Sequence, residues 1–218
     1  MTFRGWPAEA LAFYAGLEAD NSKAYWQDHR YIYETSVLGP MNELLAELAD
    51  EFGDGRIFRP YRDVRFSADK TPYKTQMGAT VGGSGYLQLS ADGLAAGCGM
   101  YVLAPDQLTR YRAALDSERT GEALARIVAD AARAGIGITG HDSLKTVPRG
   151  YAKDHPRVDL LRRKGLVTWR EWPAGDWLGR RTAKDRVVAF LRASAPLRDW
   201  LDEHVGASTQ PAGRGRGR

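Results

Sequence analysis

The chain has few of the residues from which recognisable active sites are built. Cys98 is its only cysteine in 218 residues, which rules out an internal disulfide and a multi-cysteine zinc site. That thiol lies in an uncharged run of small residues, Ala95-Ala-Gly-Cys-Gly-Met100, and is expected to be buried and inert. The four histidines, His29, His141, His155 and His204, show no mutual metal-ligand spacing, so neither a metal nor a cofactor is expected. No stretch approaches the roughly 18 apolar residues of a membrane span, and the start of the chain lacks the apolar core of a signal peptide. The expectation is a soluble, cytoplasmic protein with no membrane partner. There is no Gly-x-Ser-x-Gly elbow, no aspartate cluster of metal-nuclease type and no dinucleotide fingerprint. Gly82-Gly-Ser-Gly85 resembles a phosphate loop only superficially, because no Gly-Lys-Ser/Thr follows and the next element reads as a strand. A hairpin turn is the expectation there.

What is present is enough to build a core: 43% apolar residues, six Trp and ten Tyr. The formal charge of +4 is unevenly distributed. Residues 1–55 carry three Lys/Arg against ten Asp/Glu; residues 56–74 carry six against two, and residues 145–164 seven against two. Arg214, Arg216 and Arg218 add a basic tail. Such asymmetry suits either an anionic partner or internal pairing between acidic helices and basic blocks.

The first fifty residues read as three helices. Pro7 opens the first, Asn21 is placed as the N-cap of a second from Ser22 to about Tyr33, and Pro40 opens a third. In the third, Met41, Leu44, Leu45 and Leu48 form one stripe and Gly53 is the terminator. From Ile57 the pattern alternates: Phe58, Val64 and Phe66 share one parity while Arg59, Asp63, Arg65 and Ser67 take the other, predicting a half-buried strand. Gly78–Val81, Tyr86–Ser90 and Leu94–Met100 are predicted strands of an antiparallel meander. Helices are predicted from Pro105 and through Leu124, Ile127, Val128 and Ala131 to Gly135. Short strands are expected at Leu144–Val147 and Leu166–Trp172, with a short helix over Pro156–Lys164 between them. A last helix begins near Thr182, and Pro196 is expected to break or kink it. The fold class is therefore α+β: an antiparallel meander sheet packed against N-terminal and C-terminal helices, with residues 1–206 as one domain and 207–218 as a disordered Gly/Arg-rich tail.

Two segments hold the candidate chemistry. In Tyr61–Lys74, the cations Arg62, Arg65, Lys70 and Lys74 stand against only Asp63 and Asp69. Asp69 suits an Asx-type turn and Pro72 forces Thr71 to be extended. The segment is either a salt-bridge lattice fixing a turn or a cationic pocket for a phosphate or carboxylate. Arg65 and Asp69 are expected to be substantially buried, with several hydrogen bonds each. In the second segment, Arg149 and Tyr151 are ligand-binding candidates, and His155 is a helix cap or a general base. His155 and Asp69 are the candidate proton-transfer groups.

The pattern as a whole resembles a known family. It is carried by Asn21 and Trp26, by Arg62-Asp-Val-Arg-Phe-Ser-x-Asp-Lys-x-Pro-Tyr-Lys-Thr75, and by Gly97-x-Gly99-Met-Tyr101. Pro148-Arg-Gly-Tyr151 and His155-Pro-x-x-Asp-Leu-Leu-Arg-x-Lys164 complete it. Together they look like the domain-of-unknown-function family numbered 2461, over about Phe3 to Val205, with Tyr25-Trp26 where that family commonly has Trp-Phe. The resemblance implies a soluble α+β domain and carries no activity with it.

Three functions remain open at this level. In the first, Arg62, Arg65, Lys70, Lys74 and Arg149 clamp an anionic small molecule, with Tyr151 at the same site, and the protein is possibly an enzyme. In the second, the basic patches read nucleic-acid phosphates while Tyr61, Tyr73, Tyr86 or Tyr151 stack on bases. In the third, the domain is structural or an interaction module, and the Arg/Asp/Lys motif is an internal lattice. A concave cluster favours the first, a basic stripe with exposed aromatics the second, and fully paired charges the third.

Overall fold

Pro7 adopts an extended conformation at the N-cap of α1 (Ala8–Ala19), which buries Ala10, Phe13, Tyr14 and Leu17. In this computed structural model, which describes residues 2–210, α2 (Lys23–Ile32) follows. Its cap is Ser22, whose hydroxyl accepts the Tyr25 N–H, and not Asn21 as the sequence suggested. Asn21 is engaged elsewhere. A six-residue π-helical stretch, Tyr33–Leu38, leads into α3 (Gly39–Phe52), whose Met41, Leu44, Leu45 and Leu48 are buried as their spacing predicted. Gly53 ends α3 with a positive φ of 89°.

The strands are β1 (Gly55–Ile57), β2 (Gln76–Val81), β3 (Gly85–Ser90), β4 (Gly93–Met100), β5 (Gly137–Thr139) and β6 (Leu166–Pro173). They form one open sheet in the order β1-β2-β3-β4-β6-β5, and the β1–β2, β2–β3 and β5–β6 pairs are antiparallel, with Met77 for example opposite Leu89. The remaining helices are α4 (Pro105–Asp116), α5 (Glu118–Arg133), α6 (Val158–Leu161) and α7 (Thr182–His204). The α+β class and the meander are as expected. Among the described residues no helix is long and apolar enough to cross a membrane.

The described residues make two compact units: 2–96 with Glu171–Phe190, and Gly97–Arg170 with 191–210. In the first unit α3 packs on β1 and β2, and α1 on β3, burying Phe3, Trp6, Phe13, Tyr14, Leu17, Leu87 and Leu89. Glu47 of α3 is a hub there. It accepts from the Phe3 N–H at 2.8 Å, from Lys184 at 2.6 Å and from Arg181 at 3.1 Å, and these donors hold its carboxyl down to about 2. In the second unit Tyr111, Leu115, Leu124, Leu161, Leu166, Trp200 and Leu201 form the core. The buried Thr168 hydroxyl bridges the Cys98 carbonyl (3.0 Å) and Ser194 (2.8 Å), and Cys98 is buried as expected.

Three expectations are corrected. Residues 58–67 are not a strand: past Ile57 the chain leaves the sheet and Phe66 is 88% exposed. Leu144–Val147 is not a strand either; the sheet edge is taken by β5, and only an isolated bridge joins Ser143 to Arg163. Of the two outcomes expected at Pro196, the break does not occur: α7 runs on to His204 because Leu197, Trp200 and Leu201 bury against the core beyond it. Of the expected tail, Ala207, Ser208 and Thr209 are tied to α4 through Arg110 and Asp106, and 211–218 lie outside the described residues.

Candidate functional site

The segment with the densest charge folds back on itself. Lys74 N–H donates to the Pro60 carbonyl at 2.8 Å and Arg62 N–H to the Pro72 carbonyl at 2.9 Å, with an antiparallel bridge between Tyr61 and Tyr73. Two prolines therefore act as acceptors between two short arms, and the arms satisfy each other instead of extending the sheet. The arms rest on the N-terminal helices. Trp26 stacks on Tyr73 with ring centroids 4.4 Å apart and planes 7° from parallel. Asn21 clasps the Tyr73 backbone from both sides, its Nδ2 donating to the carbonyl at 3.1 Å and its Oδ1 accepting the N–H at 3.0 Å. Lys74 places its ammonium 5.7 Å from the Phe58 ring.

Beyond the arms, residues 63–71 form a tip with its own internal bonds. Arg62 donates to the Asp69 carboxylate and to the Thr71 hydroxyl. Asp69 also accepts the Thr71 N–H at 2.9 Å and the Thr71 hydroxyl at 2.8 Å, the Asx-type turn anticipated from the sequence. Arg65 grips Asp63 with two parallel bonds, Nε to Oδ1 at 2.9 Å and Nη2 to Oδ2 at 2.6 Å. Lys70 donates to the Val64 carbonyl at 2.9 Å. Each carboxyl is held at about 2, well below its ordinary value: Asp63 chiefly by the Arg65 guanidinium, Asp69 chiefly by the Thr71 N–H and then by Arg62.

The expected burial is overturned. The Arg65 side chain is 76% exposed and that of Asp69 55%. These charges pair in the open, where solvent keeps desolvation small and each pair is weak taken singly. Phe66 is itself largely exposed, its ring centroid 5.9 Å from the Arg65 guanidinium, so it adds little burial to the tip.

The second basic block lies in the other unit. Arg157 caps the C-terminus of α4, its Nε donating to the Leu115 carbonyl at 2.7 Å, where the helix dipole favours a cation. Gly121 leaves room for it: a Cβ there would meet the Leu115 carbonyl oxygen at 2.2 Å and Arg157 Nε at 2.4 Å. His155 Nδ1 accepts the Arg157 N–H at 3.0 Å while Nε2 faces Asp116 at 3.5 Å. With both ring nitrogens engaged, the side chain acts as a cap for the turn before α6. Tyr151 is half-buried, edge-on to His155 at 6.5 Å, and Arg149 is exposed. Arg163 donates to the Ile138 carbonyl at 3.3 Å and Lys164 to Asp142 at 2.6 Å. Arg62, Arg65, Lys70, Lys74 and Asp69 thus belong to one unit, and Arg149, Tyr151 and His155 to the other.

Two further cavities lie in the first unit. One of about 330 Å³ is lined by Gln88, Ser90, Asp92 and Trp172, the other of about 410 Å³ by Leu38, Ala46, Asp54 and Ile57. Neither includes a candidate residue. Among the described residues no three His, Cys, Asp or Glu side chains gather to hold a metal ion. The roles of Asn21 and Trp26 in seating the loop were not readable from sequence, since nothing local marks a contact made 52 positions away.

A family model described as a conserved hypothetical protein, DUF2461, matches residues 9–200. No curated protein and no solved structure matches the chain.

Proposed function

The chain belongs to the DUF2461 family, and from that premise we propose that it is an interaction domain in which the 58–74 loop is a braced element presenting Phe66 to a macromolecular partner. One observation carries this: Arg62, Arg65 and Lys70 each direct donors to acceptors inside the loop, while Phe66 at its tip is 88% exposed. An anion held here would have to displace Asp63 or Asp69 from a guanidinium each already engages. A large aromatic side chain left in water contributes nothing to folding, and held on a fixed tip it is the kind of anchor around which interfaces form. The ion pairs then serve to keep the tip in one shape, which lowers the ordering cost of binding.

Limited trypsin digestion with a parallel phosphate titration tests this. Arg62→Ala is expected to speed cleavage after Arg65 and Lys70 roughly tenfold with little change in melting temperature, and inorganic phosphate is expected to give no saturable shift in arginine side-chain NMR signals. Unchanged cleavage would remove the brace. Saturable phosphate binding lost in Arg65→Ala would restore the anion pocket. The exposure of Arg59, Tyr61 and Phe66 along one segment favours one second reading, stacking on single-stranded nucleic acid. Salt-dependent binding of an oligothymidylate, weakened by Phe66→Ala, would select it.

A further inference from the structure

Among the described residues β1 is the terminal strand of the sheet, paired with β2 alone. Its bonds to β2 are made at alternate residues: the Asp54 carbonyl accepts from Gly82 at 3.0 Å, Arg56 N–H reaches the Thr80 hydroxyl at 3.1 Å, and Phe58 N–H reaches the Gly78 carbonyl at 2.8 Å. Antiparallel alternation therefore turns the N–H and C=O groups of Gly55 and Ile57 to the open side. Alongside that edge runs α3, and between the two lies the cavity of about 410 Å³. Its helical wall is made of Leu38, just before α3, and of Asn42, Leu45, Ala46 and Ala49 on it, with the two alanines supplying the low part of a shallow trough. A sheet edge beside a helix with a trough between them is the arrangement that accepts an added strand.

We propose that this edge is a docking site for an extended, basic segment of a partner protein, which pairs with β1 and lays small apolar side chains along α3. The open N–H and C=O groups call for another backbone in extended form, since only that supplies donors and acceptors in matching alternation. The charge follows from the end of the helix. Asp50 precedes the C-terminus of α3 by two residues and Asp54, in the cavity wall, follows it by two; there is no basic residue in its last turn and the helix dipole is negative at the same point, so that the exposed Arg56 of β1 is the one cation in the wall set against these three. A Lys or Arg of the incoming segment would meet all three. This surface uses none of the residues of the loop tip, so it stands or falls independently of the function proposed above.

The test is selection of phage-displayed octapeptides on the full chain, followed by fluorescence polarisation with the enriched sequences. Enrichment of alternating peptides carrying Lys or Arg is expected. Their binding should weaken at least tenfold in Ala46→Phe, which fills the trough from an exposed helical position, and in Ile57→Pro, which removes an open-side N–H without breaking a β1–β2 bond. Both variants should keep the wild-type melting temperature; if Ile57→Pro fails to fold, Ala46→Phe and the charge reversal Asp54→Lys decide alone. No enrichment, enrichment of acidic sequences, or binding indifferent to Ala46→Phe overturns the proposal. Concentration-dependent dimerisation by light scattering that Ala46→Phe abolishes would also overturn it, assigning the edge to a second copy of the chain.

Discussion

At the scale of single residues, the Arg62–Lys74 motif is tied down by bonds within its own loop and to Asn21. Asn21 secures both polar groups of the Tyr73 backbone, so Asn21→Ala would leave two partly buried groups without their partner. A loss of about 1–3 kcal/mol in urea unfolding is expected, with the slope unchanged. Asn21→Asp keeps the acceptor and should cost less. The tip has its own acid limit. Asp63 and Asp69 have folded pKa values lowered to about 2 from ordinary values near 3.9, so their contribution is fully present above about pH 4 and is lost as pH falls through about 2. The arginine Nε–H signals of Arg62 and Arg65 should hold their positions from neutral pH to about 4 and then move together toward those of free arginine. Movement centred near pH 4 would mean that the pairs seen here do not persist in solution.

At the scale of elements, the sequence was most legible where a proline or glycine marks an end and a stripe fills the interior. Pro7, Pro40 and Pro105 open helices, Gly53 and Gly135 close them, and the stripe of α3 is buried position for position. The strand expected over 58–67 failed for a visible reason. The parity that holds Phe58, Val64 and Phe66 also holds Pro60 and Arg62, so the face was never continuously apolar, and Pro60 and Pro72 instead accept bonds across the loop. β5 was hidden by its glycines, since Gly135-Ile-Gly-Ile-Thr-Gly140 reads as a loop until β6 pairs with it. The packing of α4 against the Arg157 cap was equally unreadable, because it depends on the absence of one methyl group. Gly121→Ala should therefore destabilise by about 1–3 kcal/mol, lowering the melting temperature by roughly 2–12 °C. If that variant melts like wild type, Arg157 is not seated against the α4 terminus.

At the scale of the whole molecule, the first compact unit is assembled from distant parts of the chain. The Trp6 N–H donates to the Leu178 carbonyl at 2.9 Å, Arg181 donates to the Phe3 carbonyl at 3.0 Å, and Lys184 pairs with Glu47. A polypeptide ending at Ala96 lacks all three partners, along with the buried Trp172, Leu178, Val187 and Phe190. It should show little cooperative melting by circular dichroism, and co-expression with residues 171–190 should restore some of it. A cooperative transition in the 1–96 fragment by itself would refute this view of the unit. The same connectivity has a consequence during synthesis. Phe3 and Arg181 stand 178 positions apart, and at translation rates of roughly 5–20 residues per second the first waits about 9–36 s for the second to be made. Over that interval Phe3 and Trp6, both buried in the folded unit, lack the 178–181 segment that their backbones bond to, so the ribosome-bound chain shows water more apolar surface than the finished protein does.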